Sequence, residues 1–292
     1  MLPIILASIA VIVLIIASLT DIKTREVPDW INFSIIPLGL GIRLIWSLST
    51  NDYSYIIEGL VGFSAFFILA LLMFYTGQWG GGDSKMLMGL GALIGLPYQF
   101  LSSNINWLIE PLPSFLINTI VVGSIYGFVW SIILSLKNRK KFLKEIKKTT
   151  QSIAKLSKIM MVLFVILLFS TLLIQDIVIK ILVILLIVFI HGSFYLFIFI
   201  KAVEKSCMLK YVKPTEVTEG DWIAKKIFVN KKYIAGPKDL GIEKKQLNQL
   251  INYYKKGKIK KVLIKVGIPF VPSFLIAYLF TLWIGNILLL FI

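Results

Sequence analysis

The feature that most constrains this chain is a succession of apolar runs, most of them about as long as a lipid bilayer is thick. The hydrocarbon core is ~30 Å thick, so a helix rising ~1.5 Å per residue needs roughly 20 apolar residues to cross it. Polar or Gly/Pro-containing breaks mark off runs at residues 2–20, 30–48, 55–76, 83–101, 114–136, 159–174, 177–200 and 267–292. The fourth is rich in glycine and carries Lys85 near its start, and the sixth is short. With 58% hydrophobic residues and a mean hydropathy of +0.86, the chain reads as an all-α polytopic membrane protein with about eight transmembrane helices. The first run has no basic residue before it and no small-residue cleavage pattern after it, so it reads as a retained helix and not a removable signal.

Orientation follows from the basic residues, because Lys and Arg of short loops are retained on the cytoplasmic side. The chain has 31 Lys plus Arg against 15 Asp plus Glu, a formal charge of +16. Threading the runs back and forth puts every Lys and Arg on one side except Arg43, inside the second run, and Lys180, near the opposite boundary. That side is assigned to the cytoplasm, which leaves both termini outside. The clusters carry no interleaved aromatic residues or known motif, so they imply contact with anionic lipid headgroups and no nucleic acid. The single cysteine, Cys207, excludes an internal disulfide, and with one histidine, His191, no metal or cofactor site is implied.

Residues 201–265 form a cytoplasmic insertion before the last span. A strand-like stretch at 222–229, a Gly236-Pro237 turn and an amphipathic helix near 242–254 predict a small α+β unit packed against the membrane domain. In that helix Leu247, Leu250, Ile251 and Tyr254 recur at helical spacing. The chain is thereby divided into a membrane core at 1–136, a basic linker at 137–158, a helix pair at 159–200, the insertion at 201–265 and a final helix at 266–292.

Two aspartates stand at the cytoplasmic edge. Asp21 ends the first run, where a carboxylate opposes the helix dipole at a cost of a few tenths of a kcal/mol or more. Asp83 opens the fourth run after Gly80, Gly81 and Gly82. Alone, Asp21 is equally an ordinary hydrated loop acid, and Asp83 equally a helix N-cap. A cap does not explain the glycines, which let another backbone approach closely; Gly80 and Gly82 are therefore candidates to contact a substrate. The topology allows the two acids, on different helices, to meet. Two carboxyls sharing a proton can activate a water against a peptide carbonyl, since like charges that close cannot both be ionised.

At these positions the chain resembles the prepilin peptidases, intramembrane aspartyl proteases named for a Gly-x-Gly-Asp motif. The resemblance is carried by Asp21 with Pro28 seven residues on, and by Gly80-Gly81-Gly82-Asp83. Glu219-Gly220-Asp221-Trp222 and Gly267-Ile268-Pro269-Phe270-Val271-Pro272 are similar to the archaeal branch, the class III signal peptidases. The resemblance implies that Asp21 and Asp83 are catalytic. It also implies that the substrates are prepilin-like or preflagellin precursors with a short basic leader, usually ending in glycine, before a long apolar helix. The cysteine-rich zinc region of many bacterial members has no counterpart here. Locally, Asp21, Glu26 and Asp29 outnumber Lys23 and Arg25, so Glu26 and Asp29 are candidates to read the leader's charge, or simply form a solvated loop with internal pairs.

Other residues have structural expectations. His191 is expected to bond across helices as a neutral imidazole, and Arg43 to snorkel outward or pair with Glu58. Cys207 is expected to pack, and Gln78 and Trp79 to shape a cleft or anchor the interface. Two further classes remain open: an ion-coupled transporter, though no internal repeat is visible, and a non-catalytic scaffold of a surface-filament assembly.

Overall fold

The computed structural model describes residues 1–97 and 107–291. The end of the expected fourth span, as far as residue 101, and the first part of the loop that follows lie outside the described residues. The described chain forms two compact units, one of residues 1–128 with 212–291 and one of residues 129–211.

The first unit begins with α1 (Leu2–Thr24), α2 (Asp29–Thr50), α3 (Ser54–Tyr75) and α4 (Gly81–Ile94). α1 stops where Arg25 turns left-handed (φ 64°) and its N–H bonds back to the Asp21 carbonyl. Pro28, extended at ψ 136°, then starts α2, as proline before a helix favours. After α3, Gly77 takes φ 69° and the chain turns into the glycine run. The helix α5 (Pro111–Lys137) follows, and α10 (Val271–Ile284) closes the unit with Pro272 in its first turn.

Lipid tails are as apolar as leucine, so helices in a bilayer associate by close packing and interhelical hydrogen bonds more than by hydrophobicity. The α3–α4 contact shows the means: a methyl group added to Gly62 would lie 2.5 Å from the Gly91 carbonyl oxygen, and one added to Gly91 as close to that of Gly62. Likewise Gly89 faces Ile35 of α2. The resulting core includes Leu14, Ile35, Phe66, Leu87, Phe115 and Phe274. Asn118 of α5, fully buried, donates to Thr281 Oγ1 at 2.9 Å and to the Gly285 carbonyl at 2.7 Å, fastening α5 to the end of α10.

The insertion belongs to the same unit from residue 212 on. Trp222–Ile223 (β2) pairs antiparallel with Val262–Lys265 (β5), and Ile227–Val229 (β3) with Lys232–Ala235 (β4). β1 (Leu209–Val212) precedes them. The stretch expected as one strand at 222–229 is thus broken at 224–226, where Ala224 bonds to Leu263 and the chain leaves the ladder. The amphipathic helix is α9 (Lys244–Lys255); Leu250 is its buried residue, with Leu247 and Tyr253 packed beside it.

In the second unit the basic stretch is mostly helical, as α6 (Arg139–Ser152), followed by α7 (Ala154–Ser170) and α8 (Ile177–Val203). His191 of α8 stacks on Phe164 of α7 with centroids 4.2 Å apart. Its Nδ1 is buried without a hydrogen-bond partner among the described residues, so the ring is held by stacking and not by the cross-helix bond expected for it. Cys207 packs against Ser206 and the Leu134 carbonyl.

Six described helices are long and apolar enough to cross a membrane, namely α1, α2, α3, α5, α7 with its 3-10 extension, and α8 with the turn after it. The protein is a multi-pass membrane protein. α10, at 14 residues, is a shorter apolar helix, and α4 is of the same length.

Candidate active site

Asp21 lies in the last turn of α1 and is 5% exposed. Its Oδ2 accepts the backbone N–H of Val271, the first residue of α10, at 3.0 Å. A carboxylate that opposes its own helix's dipole therefore meets the favourable end of another, where free amides and the positive dipole end favour an anion. Arg25, one turn on, adds an attractive charge and donates from Nη1 to the Gly267 carbonyl at 3.1 Å.

Asp83 is the third residue of α4, not its cap. Gly80 occupies the cap position in an extended conformation, and Asp83 Oδ2 accepts the Gly80 N–H at 3.3 Å. The half-buried Asp83 carboxyl lies within electrostatic range of that of Asp21, on a different helix. Of the glycines, Gly80 is the crowded one, since an added methyl would lie 3.3 Å from Asp83 Oδ2. Gly82 has ordinary van der Waals room beside Val27.

The other two loop acids are engaged. Asp29 pairs with Lys85 at 2.6 Å, and Lys85 also lies over the Phe33 ring. Glu26 Oε1 accepts the Thr218 hydroxyl at 2.6 Å, which joins the insertion to the loop after α1. The insertion also meets the loop before α4, because Trp222 and Leu240 lie against Gly77. Trp79 packs on Phe270 and Phe274, at 5.7 and 5.4 Å between ring centroids, and braces the start of α10; Gln78 is exposed.

Several site residues had no sequence signal of their own. Tyr126 of α5 lies within electrostatic reach of Asp21 and Arg25. Ser18, one turn before Asp21, and Ser84, next to Asp83, have buried hydroxyl oxygens with no hydrogen-bond partner among the described residues. The Gly267-Ile268-Pro269-Phe270-Val271-Pro272 stretch was visible, but not the use of the Val271 amide to hold Asp21.

Residues 8–128 match the type IV leader peptidase family. The matched segment holds Asp21, the glycine run, Asp83 and Tyr126. The preflagellin peptidase of Methanocaldococcus jannaschii is 38% identical over 129 residues, 43% of this chain and 54% of that protein. That of Methanococcus voltae is 37% identical over 134 residues, 45% and 57% of the two chains. The preflagellin peptidase of Methanococcus maripaludis is 44% identical over 81 residues, 28% of this chain and 35% of that protein. The chain thus spans about a third to somewhat over half the length of the curated relatives it matches.

Proposed function

We propose that this protein is a membrane aspartyl endopeptidase that removes the short basic leader from prepilin-like precursors, pilins or archaeal flagellins, at the cytoplasmic face. The observation that carries the reading is that Asp21 and Asp83, acids on different helices, lie within electrostatic range of each other in the segment that matches the type IV leader peptidases. The relatives' own name, preflagellin peptidase, supports this substrate class.

In this reading one carboxylate takes a proton from the attacking water while the other, protonated, donates to the scissile carbonyl. The tetrahedral intermediate then collapses, the C–N bond breaks, and the proton taken from water passes to the leaving amine. The apparent pKa values governing the rate belong to the pair. The Val271 amide and Arg25 orient Asp21, and the Gly80 amide orients Asp83. A peptide bond inside a helix is shielded by its own hydrogen bonds, so cleavage falls where the substrate's apolar helix has not begun. The room at Gly82 suits an extended backbone there. Glu26 and Asp29 attract the leader's basic residues, which exchange with Thr218 and Lys85 as partners. The basic cytoplasmic residues keep the site on that side, with both termini outside, and α6 lies against anionic lipid.

The test is purified protein in detergent with a leader-bearing precursor, comparing parent with Asp21→Asn and Asp83→Asn. The expected outcome is cleavage by the parent and a loss of about 10³-fold or more in each variant, with size-exclusion profile and unfolding midpoint retained. A parent that does not cleave, or an Asn variant that still does, rejects the reading.

A further inference from the structure

Helix α4 holds Asp83 at one end, and its 14 residues span about 21 Å, less than the ~30 Å of hydrocarbon. Its C-terminal carbonyls end beside the first turns of α3, where the Leu96 N–H donates to the Glu58 carbonyl at 2.9 Å, and they lack partners within their own helix. The structure gives all four of the last carbonyls a partner. Gly91 accepts the Gly95 N–H at 3.0 Å. The other three accept from one side chain, Arg43 of α2: Nε to Ala92 at 3.1 Å, and Nη2 to Leu93 at 3.0 Å and Ile94 at 2.8 Å.

Arg43 is 4% exposed. Its Nη1 donates to the Tyr55 carbonyl of α3 at 3.0 Å and pairs with Glu58 at 3.6 Å. A cation is thus buried against the negative end of a helix dipole, with a carboxylate to balance it. Gly59 and Gly95 make the room: a methyl at Gly59 would lie 2.5 Å from Arg43 Cδ, and one at Gly95 would overlap Arg43 Nη2. The guanidinium ties the end of α4 to α2 and α3 at once.

Resting on the peptidase reading above, we infer that Arg43 is a positioning residue for Asp83: by clamping the far end of α4 to α2 and α3, it sets the depth at which Asp83 meets Asp21. A helix transmits an axial shift from one end to the other, and a slip of one residue is about 1.5 Å. A misplacement of ~1 Å in a catalytic constellation costs on the order of 10²-fold in rate. Arg43 touches neither carboxyl, so its loss acts on the chemical step and leaves leader binding alone.

The experiment uses the full-length protein in detergent with a leader-bearing precursor, comparing parent, Asp83→Asn, Arg43→Met, Arg43→Lys and Gly59→Ala. For Arg43→Met, per monodisperse folded molecule, the expected result is a ten- to hundredfold fall in kcat with KM within about twofold. The pH–rate profile should change in shape, whereas a smaller folded fraction would scale every point alike. Arg43→Lys, with fewer donors but the same charge, should recover part of the rate. Gly59→Ala displaces the guanidinium without removing it and should lower kcat in the same way; it decides the matter if Arg43→Met does not fold. An active parent beside an Arg43→Met, or in that event a Gly59→Ala, with the parent's kcat and profile overturns this inference alone. A parent without cleavage overturns it together with the peptidase reading.

Discussion

The two units solve the problem of membrane packing in opposite ways. In the first, helices approach through glycines at 39, 62, 89 and 91 and exchange hydrogen bonds through Arg43 and Asn118. In the second, α7 buries no residue, Gly192 of α8 has open space where a side chain would go, and the cross-helix contacts include aromatic pairs, Phe142 with Phe199 and Phe164 with His191. The first arrangement fixes register, because a backbone seated against a backbone tolerates no slip. The second needs only length and apolarity. The acids sit in the unit where register is fixed, and the chemistry proposed for them depends on sub-ångström placement.

The sharpest way to break this comparison is to fill the same kind of position in both units. Gly91→Leu forces a side chain into the Gly62 carbonyl and should destabilise the protein by about 3 kcal/mol or more, abolishing cleavage. Gly192→Leu should change stability by less than about 0.5 kcal/mol and leave cleavage intact. Unfolding midpoints in detergent, with cleavage assays, check both. Equal damage from the two substitutions would mean that the second unit is as tightly registered as the first.

The same contrast explains what could be read in advance. Membrane helices were legible because a run of apolar residues is a local property, and the insertion's α9 because its apolar spacing is local too. Asp21 and Asp83 were legible as candidates because each breaks a local rule: an acid at a helix C-terminus, and a glycine run before an acid. The groups that hold them were not. The Val271 amide is a backbone group 250 positions from Asp21, and nothing about residue 271 announces its donor. Arg43 was expected to snorkel or pair with Glu58; it does pair, but its three bonds to the end of α4 depend on that helix stopping at Ile94. Asp83 itself sits three residues past the cap position, because the chain begins its helix at Gly81 with Gly80 in the extended conformation.

The units also differ in the role proposed for charge, and a smaller effect probes that. Glu26→Lys and Asp29→Lys, in the loop after α1, should each raise KM for a basic leader about two- to fivefold, the range expected of exposed ion pairs, and the effect should shrink in high salt. A leader with its lysines replaced should be indifferent to both changes. Reversing Lys140 and Lys144 of α6 should instead weaken binding to anionic vesicles and leave KM for a detergent-solubilised precursor as it was. Unchanged KM for Glu26→Lys and Asp29→Lys would assign these acids to the Thr218 and Lys85 pairs alone.

The smallest effect concerns His191, whose buried Nδ1 finds no hydrogen-bond partner among the described residues. An unbonded buried polar atom costs ~1–3 kcal/mol, and an imidazole at membrane depth is expensive even when neutral. What it supplies in return is the stack on Phe164 and an edge contact with Tyr195, at 5.0 Å between centroids. A phenyl ring supplies both without a nitrogen to satisfy. His191→Phe should therefore leave the unfolding midpoint where it is or raise it by the equivalent of about 1 kcal/mol, with cleavage unaltered. Should the variant unfold earlier or cleave more slowly, the imidazole would have a bonding partner in the working protein, and the second unit would be more than an apolar pair of helices.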